Sequence, residues 1–410
     1  MTSQRLEQVL SAELDAMAAA GTLKGRETVL AGVVPASGDK GPRYRIAGEG
    51  DRPFLRMNSN GYLGLSLRAE IIDAESSAAH EFGAGPGAVR FISGTWAPHI
   101  DLERRLADFH RREAAMAFSS AYATVMGILP TLISPETAVI SDELNHNCII
   151  NAVRLARPKE RHVYPHLDVG ALADRLDAAA KTCRRAIVVT DGIFSMRGDH
   201  APLKTIVDLA RKADSAFAEC VLVVVDDSHG VGAFGETGRG TEEVTGCGKV
   251  DILIGTLGKA FGVNGGYIAA GATIVRYLRE KAPFYVYSNP ITPGEAAAAA
   301  KAIEIVDGPV GRVLLAHLRK MTSRFARGLV DLGFETIAGE HPIVPLMVRD
   351  TARTAALVAH LRANGILATG INYPVVPKGA EEIRFQISAD HTAADIDEAL
   401  RVVAAGRGKA

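Results

Sequence analysis

Long apolar runs, a surplus of one charge and paired cysteines are what this sequence lacks. Its longest apolar stretches, such as Val221–Val225, are strand-sized. A helix that crosses a bilayer needs roughly 20 consecutive apolar residues, so no membrane partner is expected. Lysine and arginine total 46 and aspartate and glutamate 47, for a net charge of −1. Binders of nucleic acid or anionic lipid cluster Lys and Arg, and no such cluster occurs. Cys148, Cys183, Cys220 and Cys247 lie far apart with no CxxC pair, which argues for free buried thiols over disulfides or zinc. The opening residues read as an amphipathic helix with acidic positions. A secretory signal would show a basic start and an apolar core instead. These absences together point to a cytoplasmic protein.

What is present is material for a large core. Of 410 residues, 47% are hydrophobic, enough for two or three domains. Residues 1–47 read as an N-terminal helix and a Gly/Pro-containing connection. Residues 48–290 alternate short β-rich runs with helical stretches. The runs include Ala114–Phe118, Ala138–Ser141, Arg161–Tyr164, Ala186–Thr190, Val221–Asp226 and Ile252–Thr256, and the helical stretches include Leu102–His110 and Leu203–Ala213. This alternation predicts an α/β domain with a mainly parallel sheet covered on both faces. Residues 291–410 begin with a long helical stretch, broken at Gly308–Pro309. Mixed strand and helix patterns follow, as in a small α+β domain.

Two strand ends carry chemistry. In V-L-V-V-V-D-D-S-H-G (221–230) an apolar run stops at Asp226, Asp227, Ser228 and His229. Ligands of parallel sheets sit beyond the carboxyl ends of strands, where an acid can face a cationic ring nitrogen; a helix cap or turn would use the same residues. In D-I-L-I-G-T-L-G-K-A-F-G (251–262) a second run ends in Gly255, Thr256, Gly258 and Lys259. Glycines admit a ligand to the backbone, a hydroxyl suits a phosphate, and the lysine can turn inward. A lysine and an acid one β-unit apart are what a pyridoxal-5′-phosphate (PLP) site requires.

With these residues in view, the chain resembles the α-oxoamine synthases, a branch of the fold type I, aspartate aminotransferase-like PLP enzymes. The motifs, from N- to C-terminus, are N-G-Y-L-G-L (60–65), V-R-F-I-S-G-T (89–95), S-D-E-L-N-H (141–146), T-D-G-I-F-S-M (190–196), V-D-D-S-H (225–229), G-T-L-G-K (255–259) and Y-P-V-V-P-K-G (373–379). V-R-F-I-S-G-T, Y-S-N (287–289) and Y-P-V-V-P-K-G look most similar to the glycine C-acetyltransferase (2-amino-3-ketobutyrate CoA ligase) branch. The resemblance implies PLP as cofactor and Lys259 as the lysine that holds it. It implies Asp226 on the pyridine nitrogen, His229 and Ser195 on the phenolic oxygen, and His146 stacked on the ring. Ser120, Ala121, Tyr122 and Thr256 would take the phosphate, joined by Ser288 from the neighbouring subunit of a homodimer with shared active sites. Arg384 and Asn60 would bind the amino acid's carboxylate.

The reaction so implied joins a small amino acid, glycine first, to an acyl-CoA thioester. Decarboxylating synthases of the 8-amino-7-oxononanoate or serine palmitoyl type, acting on longer acyl-CoA or acyl carrier protein, are the alternative. A further PLP reaction such as transamination, or a non-catalytic binding role, also remains. Locally, Ser120 and His146 equally suit helix caps, Ser195, Asn60 and Ser288 turns, and Arg384 a structural ion pair. Gly61 and Arg197 depart from the family, which has Asn or Asp in the first position and an acid in the second.

Overall fold

The computed structural model of the protein describes residues 3–408 except 21, 24, 26 and 374, so Pro374 of Y-P-V-V-P-K-G lies outside the described residues. Seven strands form the large sheet, in the order Ala114–Phe118, Gly266–Ala270, Ile252–Thr256, Cys220–Asp226, Arg185–Asp191, Thr137–Asp142, Glu160–Tyr164. Neighbours are parallel except around Gly266–Ala270, which is antiparallel to both of its partners. Six of the seven coincide with the apolar runs. The seventh, GYIAA, offers little besides Tyr267 and Ile268 to mark it as a strand.

Alternating residues feed two separate cores, one on each face of this sheet. Ile187, Val189, Val224, Ile252 and Ile254 pack into one; Ala186, Val188, Val223, Val225 and Leu253 pack into the other. That two-sided burial is why the strands read as continuous apolar runs rather than as alternating ones.

The long C-terminal helical stretch divides at Gly308 into Pro293–Asp307 and Pro309–Asp331. The first half is rich in alanine and lies on the helices Ala69–Phe82 and Ala97–Phe109 beside the large sheet. A second, antiparallel sheet has the order Glu335–Thr336, Ile343–Met347, Glu382–Gln386, Thr369–Ile371. Ile383 and Phe385 point into its apolar core, where Phe385 meets Phe325 edge-on at 4.9 Å. Glu382, Arg384 and Gln386 therefore lie on the other face, since side chains alternate along a strand.

The segment before the large sheet is more than a connection. It contains a hairpin, Leu30–Val34 with Arg43–Ile46, and a short strand, Leu55–Arg56, parallel to Ile366–Leu367. Arg43 also pairs with Asp395 at 2.6 Å. The early chain is thus stitched to the C-terminal part. Helix Ser3–Ala19 buries no residue. No helix among the described residues is long and apolar enough to cross a membrane.

Candidate active site

Neighbouring strands of the large sheet end in Asp142, Asp191, Asp226 and Thr256, and Asp191 lies directly opposite Asp226 in register. The two acids that close the Cys220–Asp226 run are put to different uses. Asp227 turns into the protein and accepts the backbone N–H and hydroxyl of Thr241, each at 2.6 Å. Asp226 faces the pocket, where its Oδ1 accepts the Ser228 N–H at 3.1 Å; the Cys148 sulfur lies 3.8 Å from Oδ2 and 2.9 Å from His146 Nδ1.

Lys259 follows the next strand in a turn that Thr256 ties down. The Thr256 hydroxyl accepts from the Gly258 N–H at 3.2 Å and donates to the Gly265 carbonyl at 3.1 Å. Burial lowers the Lys259 pKa to about 8; Asp226 and Asp191 pull it up and Arg384 pushes it further down. At pH 7 about a tenth of this amine is therefore uncharged, far more than for an ordinary lysine.

Above Asp226, the chain after Thr137–Asp142 brings in His146. Its backbone N–H donates to Asp191 Oδ2 at 3.1 Å, and its Nδ1 accepts weakly from the Cys148 N–H at 3.3 Å. The ring is open to the pocket. Burial of its surroundings holds its pKa below the ordinary value, with Asp226 opposing and Lys259 reinforcing the shift. Ser120 caps helix Ala121–Leu132 by accepting the Ala123 N–H at 3.1 Å. The first N–H groups of a helix have no intrahelical partner, so those of Ala121 and Tyr122 remain available. This helix start presses on the antiparallel strand at Gly266, where a Cβ would come within 2.4 Å of the Ala121 nitrogen. Only glycine allows that approach.

His229 is buried at the pocket wall. Burial drives its pKa well below the ordinary value, and Lys259 and Arg384 add to the effect. Its Nδ1 lies 2.8 Å from the Tyr62 hydroxyl, which is also 3.3 Å from Asn60 Oδ1. Burial raises the Tyr62 pKa, so the phenol keeps its proton between Asn60 Oδ1 and His229 Nδ1. His229, its own pKa held down, is neutral. His341 holds the same residue from behind: its Nδ1 accepts the Ile343 N–H at 3.2 Å, and its Nε2–H donates to the His229 carbonyl at 2.9 Å.

Arg384 meets Asn60 Oδ1 at 3.3 Å and, with the Gln386 amide turned to suit its neighbours, Gln386 Oε1 at 2.6 Å. It has no carboxylate partner among the described residues, and its Nε is buried without any partner.

Ser195 sits on a loop held by His166, which lies 3.0 Å from Asp142 and 3.2 Å from Asp199. Burial disfavours charge on that imidazole, but the two carboxylates outweigh it and raise the pKa to about 9.

Ala121, Tyr122, His146, Ser195, Asp226, His229 and Lys259 line one pocket together with Cys148, Asp191, Ile193 and Ser228. Ser120 and Thr256 are not among the lining residues; Ser120 adjoins Ala121 as the helix cap, and Thr256 ends the strand that leads to Lys259. Asn60 and Arg384 meet each other on the small-sheet side. Ser288, beyond the short helix Pro283–Val286, is not among the lining residues. Sequence reasoning missed Asp191, Tyr62 and His341. Asp191 had the same signal as Asp226, an acid ending an apolar strand; Tyr62 and His341 carried none, because their roles come from contacts distant in sequence.

A PLP-sized group asks for an amine of lowered pKa, a carboxylate for its ring nitrogen, backbone donors for its phosphate and a flat ring against its face. All four occur here. Asp191 Oδ1 and Ser228 Oγ are moreover buried at the pocket with no partner. The residues fit such a cofactor.

Residues 52–403 match the family described as aminotransferase class I and II. The chain is 42% identical over 350 residues to 8-amino-7-oxononanoate synthase of Thermosipho melanesiensis, covering 85% of this chain and 87% of that one. It is 38% identical over 398 residues to human mitochondrial 2-amino-3-ketobutyrate coenzyme A ligase, covering 97% and 91%. Among solved structures, Sphingomonas wittichii serine palmitoyltransferase superposes with a TM-score of 0.88 at 28% identity, covering 99% and 98%. Serine palmitoyltransferase from S. paucimobilis, solved with a bound PLP–myriocin aldimine, gives 0.86 at 26% identity, covering 98% and 97%.

Proposed function

The chain belongs to the aminotransferase class I and II family and, within it, to the PLP-dependent α-oxoamine synthases; from that premise we propose that it joins the α-carbon of glycine to the acyl carbon of a short acyl-CoA and releases the thiol. The observation that carries this reading is Lys259, an amine held near pKa 8, set beside Asp226 and the neutral His229.

When bound, PLP supplies an electron sink for the pair left on the α-carbon. The protein's own groups do the rest. Asp226 holds a proton on the ring nitrogen by offering a carboxylate oxygen. His229 would meet the phenolic oxygen through its Nε2 side, its ring held by Tyr62 at Nδ1. His146 covers one face of the ring, and Ser195 stands on the phenolic-oxygen side. Ala121 and Tyr122 offer backbone N–H groups to the phosphate, beside the Ser120 and Thr256 hydroxyls. Arg384 and Asn60 grip the amino acid's carboxylate. Lys259 Nζ takes the α-proton and can return it, acting as general base and then acid.

The match to the ligase over nearly the whole chain supports the glycine reading, as do V-R-F-I-S-G-T, Y-S-N and Y-P-V-V-P-K-G. The higher identity to the 8-amino-7-oxononanoate synthase favours a second reading, in which a longer acyl group is used and carbon dioxide is lost. A substrate matrix separates the two: glycine, alanine and serine against acetyl- to palmitoyl-CoA, with product masses. Glycine with acetyl-CoA and a retained carboxyl group supports the first reading; a decarboxylated long-chain ketone supports the second. A keto-acid-dependent amino transfer without any thioester would overturn both.

We place the enzyme in the cytoplasm as a homodimer with shared sites. Arg90, paired with the buried Glu103 at 3.1 Å, holds a turn from which Phe91 and Ile92 project, each 67% exposed. Tyr287, next to Ser288, is 80% exposed. The helix Pro283–Val286, just before Tyr287, packs on the Arg90–Gly94 turn, so these exposed apolar groups lie near one another and suit a surface that a second subunit covers. In the shared-site reading, Ser288 of one subunit reaches the phosphate site of the other. Mixing Lys259→Ala chains with chains disabled at Ser288 should restore activity through heterodimers; no recovery in proven heterodimers would discard the shared site.

A further inference from the structure

Glu382 is the least satisfied charged group near the site. It is 2% exposed, its carboxyl accepts no hydrogen bond among the described residues, and its Oε1 is fully enclosed. An ionised carboxylate in that position is costly unless a cation answers it. Burial accordingly pushes its pKa up to about 7, while Arg384 and Arg197 pull it down and Asp199 raises it. The cations that act on Glu382 thus come from its own strand and from the loop that carries Ser195.

That loop and the small sheet are already in contact. Gly198 has φ +75°, and a Cβ there would sit 2.6 Å from the Ile343 carbonyl and 3.2 Å from the Ile343 side chain. Ile343 pairs with Gln386, and Met347 with Glu382. The loop therefore rests on the same sheet face that presents Glu382 and Arg384. Arg197 uses its Nε on Asp199 at 2.7 Å, and its side chain is 40% exposed. Its two terminal nitrogens make no hydrogen bond among the described residues, and an arginine offers five N–H donors.

We propose that Arg197 and Glu382 form a positioning pair across the cleft, which tightens when the amino acid binds and holds the strand presenting Arg384 against the Ser195 loop. The driving force follows from charge. Before substrate arrives, the Arg384 charge acts on Glu382 through space, without a hydrogen bond. Once the substrate carboxylate occupies Arg384, that cation is neutralised, and Arg197 becomes the partner left for Glu382. Carboxylate capture on the small sheet is thereby coupled to the loop on the large one. The proposal rests on the reading of Arg384 as the carboxylate site.

The test is a charge exchange in the holoenzyme. The half-saturating glycine concentration is read from the change in the cofactor's visible absorbance, and kcat is measured separately. Arg197→Glu and Glu382→Arg should each raise that concentration about tenfold, in the range for coupled charges in one network, with a much smaller change in kcat. The double variant should return to within about threefold of the parent. No rescue in the double variant, or no effect in either single one, overturns the pair.

Should a swapped chain fail to hold cofactor, Arg197→Met and Glu382→Gln replace the pair in the same cycle. Their double variant should be no worse than the worse single one; losses that multiply overturn the proposal. Arg384→Lys is the control for the underlying reading. If it leaves glycine binding unchanged, the carboxylate reading falls. The pair is then judged on whether the charge exchange restores the thermal midpoint that each single swap lowers.

Discussion

On the large-sheet side of the cleft, the charged groups each arrive with at least one hydrogen bond, while Asp191 Oδ1 and Ser228 Oγ stay open at the cofactor pocket. Asp226 accepts a backbone N–H, Asp191 accepts another from His146, and His166 is clamped between Asp142 and Asp199. On the small-sheet side, Arg384 keeps an unpartnered Nε and Glu382 an unpartnered oxygen. The two sides therefore do different work. The first is set before any substrate arrives and suits a resident cofactor. The second is completed by what binds, and suits a substrate that comes and goes. Variants on the large-sheet side should abolish chemistry, and variants on the small-sheet side should weaken binding.

Lys259→Ala tests the largest effect. Removing the group that moves the α-proton should cost about a thousandfold or more in turnover, within the span of general acid–base contributions, while the fold survives by circular dichroism. Asp226→Asn should cost at least about a hundredfold: a charge-assisted hydrogen bond contributes about 1.5–3 kcal/mol, and about 1.4 kcal/mol corresponds to one decade. Near-normal turnover would remove Asp226 from the mechanism. Across the cleft, Arg384→Lys replaces a two-pronged donor by a point charge and should raise KM for the amino acid about tenfold with cofactor affinity unchanged. Equal loss of both would make Arg384 structural and erase the distinction between the two sides.

His166 gives the smallest effect and a pH signature. Its folded pKa is raised from about 6.5 to about 9. The stabilisation is thus fully present below about 6.5 and is lost as pH rises through about 9. The thermal midpoint should fall by about 2 °C across that window, and His166→Gln should remove this step. An unchanged slope in the variant would show that His166 does not hold the Ser195 loop by its charge.

The sequence reveals some of this and hides the rest for physical reasons. The strands ending at Asp226 and Thr256 are legible because two-faced burial makes them continuous apolar runs that stop at polar residues. The break at Gly308–Pro309 is legible because proline opens a helix and cannot continue one. Gly266–Ala270 is not, because its glycine and alanines carry little strand signal and its place comes from pairing with Ala114–Phe118 and Ile252–Thr256. Asp227 beside Asp226 shows the limit of local reading: the two acids look alike until Thr241 claims one of them. Ser120 illustrates a different case, since its side chain caps Ala123 while the N–H groups of Ala121 and Tyr122 keep no intrahelical partner. The ties that fix the early chain, such as Arg43 to Asp395, join residues more than three hundred positions apart, and no window of sequence contains both.

The central claim is that Lys259 is the residue that holds the cofactor. Borohydride reduction of the PLP-loaded protein, followed by digestion and mass mapping, tests it directly. The account predicts that the visible absorption bleaches and that a single peptide, the one containing Lys259, gains the mass of the reduced cofactor. Attachment to any other lysine, or a colourless protein that takes up no cofactor, would contradict it.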